Sequence, residues 1–286
     1  MSIKGYLGKI EVGDGLPACI VGIINISEAS FYKGSIKTSK EELGQVTMQM
    51  INDGASCIDI GAQSTRPIQI YGGEGRVDAL TEQEMIENAL HVVLDVVSSY
   101  SNVEVSVDTM RYNVAKIALE KGIQIINDIS GFKKDPKLAD LIADYDASAV
   151  LMASKKEPGD VFLIPEIIQE LKKSFNIGLD AGINKNKISV DPGIGSWEAR
   201  DYHHDYLIIK KLKEFRTLEK PIYVGISRKT SIGKILNNAP PEDRLYGSIG
   251  ASVVALINSA HVFRTHDVKE TLEAIRVAEA IINYKE

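Results

Sequence analysis

Apolar and polar residues alternate regularly along almost the whole chain. Short apolar runs rich in Ile and Val recur, and after each run the apolar residues are spaced every three or four positions. This alternation predicts β-strands that are each followed by an α-helix, the βα units of a parallel sheet. The apolar runs are residues 18–25, 57–62, 103–109, 124–130, 148–154, 188–194, 221–227 and 261–267. The predicted helices lie near residues 39–53, 81–99, 111–121, 135–144, 163–182, 202–215, 243–259 and 268–283.

Strands and helices in strict alternation predict a single-domain α/β fold, a (β/α)8 TIM barrel that takes in residues 1–286. An open doubly wound sheet fits less well, because such sheets usually stop at five or six strands. Residues 3–17 predict a short hairpin with its turn at Asp14-Gly15, which we expect to close the bottom of the barrel. The longest irregular segments, 26–38 and 63–80, follow the first two strands and belong at the opposite, C-terminal mouth.

Composition narrows the class of protein further. Hydrophobic residues make up 44% and charged residues 25% of the chain, ordinary values for a globular protein. The net charge is −6 and no stripe of Lys or Arg is present, so we expect neither a nucleic-acid nor a membrane partner. Cys19 and Cys57 lie in apolar runs and are interpreted as small buried residues. Without an apolar leader or a membrane-length run, the chain is expected to be soluble and cytoplasmic.

Polar residues end every apolar run. Because the carboxyl ends of all barrel strands meet at one face, residues scattered along the sequence are expected to share one pocket. A turn-forming role explains any single position equally well. It explains the group poorly, because Asp108 and Asp191 lie within or directly after runs of buried type, where a carboxylate needs a partner. The set is Asn25, Gln63, Ser64, Thr65, Arg66, Asp108, Asn127, Ser154, Asp191, Ser227, Arg228, Lys229, Arg264 and His266.

Two kinds of ligand chemistry follow from these residues. Carboxylates and an amide at Asp108, Asn127 and Asp191 suit a flat ring with alternating donors and acceptors, such as a 2-amino-4-oxo-pteridine. A purine or a proton-transfer reaction fits the same set, so these residues alone indicate a polar small-molecule site. The cationic residues near the last two strands predict a phosphate or diphosphate site. A solvated helix start is the alternative for Arg228 and Lys229, although cations are unfavourable there without an anion.

Several segments resemble, in order and spacing, the signature blocks of the dihydropteroate synthase family of pterin-binding enzymes, including a divergent archaeal type. They are VGIINISEASF, DGASCIDIGAQSTRP, VSVDTMRYNVAKIALEKGIQIINDISG, ISVDPGIG, VGISRKTSIG and FRTHDV. The resemblance implies that an aminobenzoate displaces diphosphate from 6-hydroxymethyl-7,8-dihydropterin diphosphate, in folate or methanopterin synthesis. A homodimer formed through the last helices also fits the family.

The resemblance also assigns roles to individual residues. It implies a pterin pocket of Asp108, Asn127, Met152, Asp191 and Lys229. It implies a diphosphate site of Asn25, Arg66, Arg264 and His266, with Mg²⁺ near Asn25. Thr65, Ser227 and Arg228 would bind the acceptor, and Asp108, Asp191, Lys229 and Arg264 would be catalytic.

The chain departs from the family pattern where the second substrate enters. Ala29 stands in place of the aspartate of the first mobile loop, Ile68 in place of a glycine, and Ser154 in place of a methionine. Gln63 likewise replaces a glutamate. These departures indicate a divergent arylamine acceptor, such as the ribofuranosyl-aminobenzene phosphate of methanopterin synthesis.

Two other functions fit a pterin pocket. A pterin-dependent methyltransferase shares the barrel and the pocket, but it has no use for the diphosphate residues at Ser227-Arg228-Lys229 and Arg264-x-His266. A non-catalytic pterin-binding protein that lost activity together with the loop aspartate would release no diphosphate.

Overall fold

Eight parallel strands ringed by helices make up the computed structural model, which describes residues 2–26, 36–62, 78–195 and 201–284. A hairpin of β1 (Lys4–Leu7) and β2 (Ile10–Gly13) precedes them. The barrel strands are β3 (Cys19–Asn25), β4 (Cys57–Gly61), β5 (Glu104–Asp108), β6 (Ile125–Asp128), β7 (Ser148–Met152), β8 (Ile188–Asp191), β9 (Tyr223–Val224) and β10 (Val262–Thr265).

Parallel pairing runs in the order β8-β7-β6-β5-β4-β3-β10-β9. The ring is completed between its two ends by a parallel bridge of Val190 with Ile222, and the backbone N–H of Val190 donates to the carbonyl of Pro221 at 3.0 Å. The predicted (β/α)8 barrel is therefore confirmed. Among the described residues, no helix combines the length and the apolar character needed to cross a membrane.

Each segment that the periodicity predicts as helical contains an α-helix, and the first two of these helices begin three and two residues earlier than expected. They are α1 (Ile36–Asn52), α2 (Ala79–Val97), α3 (Tyr112–Glu120), α4 (Lys137–Asp144), α5 (Ile164–Asp180), α6 (His203–Lys210), α7 (Thr230–Ile235), α8 (Leu245–Ile257) and α9 (Val268–Ile282). The short α7 is the helix expected to begin after Lys229. The segment predicted near 202–215 divides into α6 and a 3₁₀ helix, Leu212–Leu218. There the buried residues Leu212 and Phe215 are three positions apart, which 3₁₀ geometry places on one face.

Strand β4 illustrates how each strand serves both sides of the barrel wall. Ile58 and Ile60 belong to the hydrophobic core shared with the surrounding helices. Cys57, two residues before Asp59, lies instead in the apolar cluster inside the barrel. Because successive side chains on a strand point to opposite faces, Cys57, Asp59 and Gly61 all face the barrel axis.

The N-terminal hairpin closes the barrel bottom as expected, but its turn was predicted at the wrong place. The turn is Gly8-Lys9, where Gly8 has φ +62° and Leu7 pairs with Ile10. Leu7 and Val12 pack against residues at the N-terminal ends of the barrel strands. Asp14-Gly15 is a second turn, which connects β2 to the first barrel strand.

Asp14 anchors this second turn to the barrel. Its two carboxylate oxygens accept hydrogen bonds from Arg216 Nη1 and Nη2, each at 2.8 Å, and Oδ2 also accepts from Ile3 N at 2.8 Å. The backbone N–H of Ile222 donates to His261 Nδ1 at 3.0 Å, so the ring proton lies on Nε2, which reaches Asp14 Oδ1 at 3.1 Å.

The hydrogen bonds from Arg216, followed by the contact with Ile3, hold the pKa of Asp14 well below its ordinary value of 3.8. A carboxylate whose native pKa lies below its unfolded value stabilises the fold above the unfolded pKa, and this contribution is lost as the pH falls further. We expect Asp14→Ala to lower the free energy of unfolding by about 1–3 kcal/mol at pH 7. Urea unfolding at pH 7 and at pH 3 measures the effect.

The loss should shrink at pH 3, because Asp14 of the unfolded chain is then gaining its proton while the folded chain still holds the carboxylate ionised. Glu11→Gln, an exposed change in the same hairpin, should have little effect at either pH. Equal losses for Asp14→Ala at the two pH values would show that charge plays no part.

Candidate active site

The strand register brings the predicted residues together at the carboxyl ends of the strands. Asn25 pairs with Gly61, Gly61 with Asp108, and Asp108 with Asn127, so these four positions form a row across β3, β4, β5 and β6. Met152 pairs in the same way with Asp191 on β7 and β8. A Cβ on Gly61 would lie 3.3 Å from Cβ of Asp108, so glycine leaves room for the aspartate.

Arg264 lies at the centre of the mouth between two aspartates. Its Nε donates to Asp59 Oδ2 at 2.6 Å, and its Nη2 donates to Asp108 Oδ2 at 3.1 Å. The Asp59 side chain is 0% exposed, and that of Arg264 is 16% exposed. The guanidinium group is therefore fixed by two buried or nearly buried carboxylates.

Asp59 was not predicted as a site residue. It stands between Ile58 and Ile60 in an apolar run, and only the polar residues that follow this run were predicted as site residues. The reasoning applied to Asp108, that a carboxylate within a buried run needs a specific partner, would have identified it.

Asp59 also holds Asn127. Asn127 Nδ2 donates to Asp59 Oδ2 at 3.4 Å, and Ser106 Oγ donates to the other oxygen of Asp59. The amide oxygen of Asn127 is buried and has no hydrogen-bond partner within the described part of the chain. Asn127 therefore retains one buried acceptor to which no described residue donates.

The electrostatics of the mouth follow from burial and from these charges. Burial raises the pKa of Asp108 to about 7, against the attraction of Arg264 and with the repulsion of Asp59. Although burial opposes it, the carboxylates of Asp59 and Asp108 raise the pKa of Arg264 further above its ordinary value. Burial and the charge of Arg264 lower the pKa of Lys229, while nearby aspartates act in the opposite direction.

A second group of polar residues lies at the end of β3 and in the segments after β9 and β10. His266 Nδ1 is 3.0 Å from Ser227 Oγ, which also accepts from the backbone N–H of His266 at 3.2 Å. On the other side of the ring, His266 Nε2 is 3.3 Å from Asn25 Nδ2. Ser227 thus orients His266, a role that the sequence did not suggest.

The turn after β9 is locked by Arg228. Its backbone has φ +55°, its N–H donates to Ser248 Oγ at 2.8 Å, and its carbonyl accepts from Arg244 Nη1 at 3.0 Å. The guanidinium forms two bonds with Asp267, from Nε at 2.9 Å and from Nη2 at 2.6 Å. Asp267 is the anion that a cation at this helix start requires, and it lies at the beginning of α9.

Asp191 and Met152 complete the pocket. Asp191 Oδ1 accepts from the backbone N–H of Gly193 at 2.7 Å, which fixes the carboxylate at the end of β8. Met152 forms a small buried apolar cluster with Met110 and Ile129. An apolar wall therefore lies next to the carboxylates, the combination that a flat polar ring requires.

Several predicted positions are not part of this geometry. Thr65 and Arg66 lie outside the described residues, as do Ala29 and Ile68. The expectation that Ser154 lines the acceptor side is wrong, because Ser154 is 0% exposed and its Oγ donates to the carbonyl of Ser130 at 2.8 Å. In the ranges that the structure describes, no three His, Cys, Asp or Glu side chains are placed to hold a metal ion.

A parallel barrel with carboxylates, an arginine and a lysine at its C-terminal mouth has the features of a binding site for a polar small molecule. Residues 21–266 match the family model described as pterin binding enzyme. The chain therefore belongs to the family of pterin binding enzymes, and the resemblance expected from the sequence is confirmed.

Individual relatives agree. The chain is 34% identical to the dihydropteroate synthase of Bacillus subtilis over 264 residues, which cover 92% of this chain and 88% of that one. The dihydropteroate synthase of Clostridium difficile, solved in the presence of pteroic acid, superposes with a TM-score of 0.83 at 31% identity and covers 94% of this chain and 98% of that chain. The enzyme of Xanthomonas albilineans, solved with 4-aminobenzoic acid, gives a TM-score of 0.85 at 26% identity over 100% of both chains.

Proposed function

We propose that this chain condenses 6-hydroxymethyl-7,8-dihydropterin diphosphate with an aminobenzoate-type arylamine and releases diphosphate. The bond between the pterin methylene carbon and the diphosphate oxygen breaks, and its electron pair leaves with diphosphate. The arylamine nitrogen forms the new bond to that carbon and loses one proton, so no oxidant or reductant is needed. The observation that carries the proposal is Arg264, whose guanidinium is held by Asp59 and Asp108 and which lies two residues before His266 near the end of β10.

The ring would bind to Asp108, Asn127, Asp191 and Lys229, with Met152 as part of the apolar wall. A pterin carries an amino group and ring N–H groups on one edge, and carboxylates and the Asn127 oxygen accept from such donors. Lys229 would donate to a ring oxygen or nitrogen. Asp108, Asn127, Met152 and Asp191 are on strand ends and Lys229 is at the start of α7, which favours a precisely held ring.

Arg264, His266 and Asn25 would bind the diphosphate, together with Arg66. Arg264 stays protonated at any working pH, because the two aspartates raise its pKa. It can therefore stabilise the negative charge that develops on the leaving group. As positive charge develops on the pterin methylene, the carboxylates of Asp108 and Asp191 stabilise it from the ring side, and no covalent enzyme intermediate is required.

Mg²⁺ fits this donor set. With Nδ2 of Asn25 directed at His266, the amide oxygen is the atom left as a metal ligand. Mg²⁺ commonly binds one or two protein oxygens and takes its other ligands from substrate phosphates and water. Bound there, the ion would neutralise charge on the departing diphosphate.

For the acceptor we propose an aminobenzoate, with Thr65, Ser227 and Arg228 near it. Ser227 and Arg228 are already engaged by His266 and Asp267, so they would act mainly by shaping the acceptor side of the mouth. The burial of Ser154 removes one of the reasons to expect a phosphorylated ribosyl acceptor. The solved relative with 4-aminobenzoic acid supports the plain aminobenzoate.

We also propose a homodimer through α8 and α9. A groove of about 550 Å³ on these helices is lined mainly by apolar residues, among them Ile249, Val253, Val277 and Ile281. Val277 is 61% exposed and Ile281 is 71% exposed. Contiguous apolar surface of this kind is typical of an interface between protein chains.

The direct test of function is incubation with the pterin diphosphate, Mg²⁺ and one of two acceptors, p-aminobenzoate or a phosphorylated ribosyl-aminobenzene. We expect the pteroate-type condensation product by mass spectrometry and one diphosphate released per product, with the higher kcat/KM for p-aminobenzoate. Binding of the pterin without diphosphate release would indicate a methyltransferase or a non-catalytic binder instead. A higher kcat/KM for the ribosyl acceptor would instead support the divergent arylamine acceptor of methanopterin synthesis.

Pterin affinity should depend on pH through Asp108. Below about pH 7 this side chain gains a proton and no longer accepts from the ring with both oxygens. We expect the affinity for free 6-hydroxymethyl-7,8-dihydropterin to fall by up to about tenfold per pH unit below 7 and to level off above it. Calorimetry from pH 5.5 to 8.5 measures this, and the free ligand carries no anion for His266 to bind.

Asp108→Asn is the matched control, because it keeps the shape of the side chain and cannot titrate. It should bind the pterin more weakly and with little pH dependence. A wild-type affinity that is constant across this range would contradict the proposed role of Asp108.

A further inference from the structure

Asp59 lies inside the barrel, beneath the mouth. On β4 it pairs with Ile23 of β3 and with Ser106 of β5, two residues before the level of Gly61 and Asp108. Its side chain is 0% exposed and both of its oxygens accept from protein donors, so it is not available to a ligand that enters from the mouth. Any effect that it has on the reaction must therefore pass through its neighbours.

Three donors converge on this one carboxylate. Arg264 Nε at 2.6 Å and Asn127 Nδ2 at 3.4 Å share Oδ2, and Ser106 Oγ donates to Oδ1. Arg264 and Asn127 belong to different strands and would serve different parts of the substrate. Asp59 is the group that connects them.

The two contacts on Oδ2 fix two orientations. Arg264 is held by its Nε edge on Asp59 and by Nη2 on Asp108, so the plane of the guanidinium is determined by two points. A bond from a charged donor to a carboxylate is stronger and more directional than a neutral one. The guanidinium group of Arg264 therefore lies in the mouth in one orientation.

The Asn127 amide is oriented by the same oxygen. Because Asp59 accepts and cannot donate, it selects the amide nitrogen of Asn127 as its partner. The amide oxygen is then directed away from Asp59, buried and without a hydrogen-bond partner in the described ranges. This position therefore favours a ligand that places a hydrogen-bond donor, and not an acceptor, next to the Asn127 amide oxygen.

We propose that Asp59 is a positioning residue for the reaction, which fixes the Arg264 guanidinium for the leaving anion and the Asn127 amide oxygen for a donor on the ring. This inference rests on the proposed function. The alternative is that Asp59 only compensates the buried charge of Arg264 and supports folding. The two differ in whether removal of Asp59 weakens binding of the ligands that Arg264 and Asn127 would hold, or lowers only the stability of the fold.

Two double-mutant cycles separate these roles, each with a ligand that tests one contact. Asp59→Asn is combined with Arg264→Gln and titrated with inorganic diphosphate, and it is combined with Asn127→Ala and titrated with free 6-hydroxymethyl-7,8-dihydropterin. We expect Asp59→Asn alone to weaken each ligand by about 10- to 100-fold, the effect of a lost charge-assisted hydrogen bond. In each double variant we expect no further loss beyond the partner variant, because residues that act through one contact are not additive.

Asp128→Asn is the matched control. Asp128 is equally buried at the end of β6, two strands away from Asp59, but its carboxylate accepts from the backbone N–H groups of Ser130 and Phe132. This variant should lower Tm and leave both affinities at the wild-type value. Should Asp59→Asn not fold, Ser106→Ala replaces it in both cycles, because it frees one oxygen of Asp59 and retains the charge; a loss of about threefold that vanishes in the double variants is then expected.

Additive losses in both cycles, or wild-type affinity for both ligands, would overturn the proposal. Both titrations measure binding alone, so they report on Asp59 whether or not turnover occurs. Absence of the condensation product with intact coupling would count against the proposed function and leave the positioning role standing. Product formation with additive losses would support the proposed function and count against the positioning role of Asp59.

Discussion

The mouth of this barrel depends on one buried arrangement, the guanidinium of Arg264 held between the carboxylates of Asp59 and Asp108. The interior of such a barrel is ordinarily filled by layers of apolar side chains. A charged group there costs several kcal/mol unless it is paired and hydrogen-bonded. Burial raises the pKa of Asp108 to about 7, with the repulsion of Asp59 and against the attraction of Arg264. Charged side chains are unfavourable in an apolar barrel interior. This group of Arg264, Asp59 and Asp108 thus provides the polarity that a charged ligand needs.

Apolar packing below this arrangement makes it possible. Cys19, Cys57 and Val262 fill the N-terminal end of the barrel and contact Leu7 and Val12 of the hairpin. Water is thereby excluded from beneath the ion pair, which strengthens it. The residues of the mouth follow at two-residue steps along the same strands, so their positions are set by the sheet and not by the loops.

The sequence predicted the repeating architecture well and the details of single contacts less well. Strand and helix positions follow from periodicity, which depends on neighbours a few residues away. The hairpin turn was misplaced because Gly8-Lys9 and Asp14-Gly15 are both good turn sequences, and only packing of Leu7 and Val12 distinguishes them.

Local sequence patterns do not predict contacts between residues that are far apart in the sequence. Arg228 was expected to meet a ligand, and its partner in the structure is Asp267, 39 positions later. Asp59 was not predicted because it lies between Ile58 and Ile60, in a run that is otherwise apolar. The pocket residues at strand ends could be predicted, since the fold alone brings them together, whereas the residues that orient them required the geometry.

A crystal structure with bound 6-hydroxymethyl-7,8-dihydropterin tests most directly whether this buried arrangement builds the pterin pocket. The expected result has ring donors on Asp108, Asp191 and the amide oxygen of Asn127, with Arg264 still bonded to Asp59. A ring bound away from the ends of β5, β6 and β8, or an Arg264 side chain turned away from Asp59 in the complex, would contradict it.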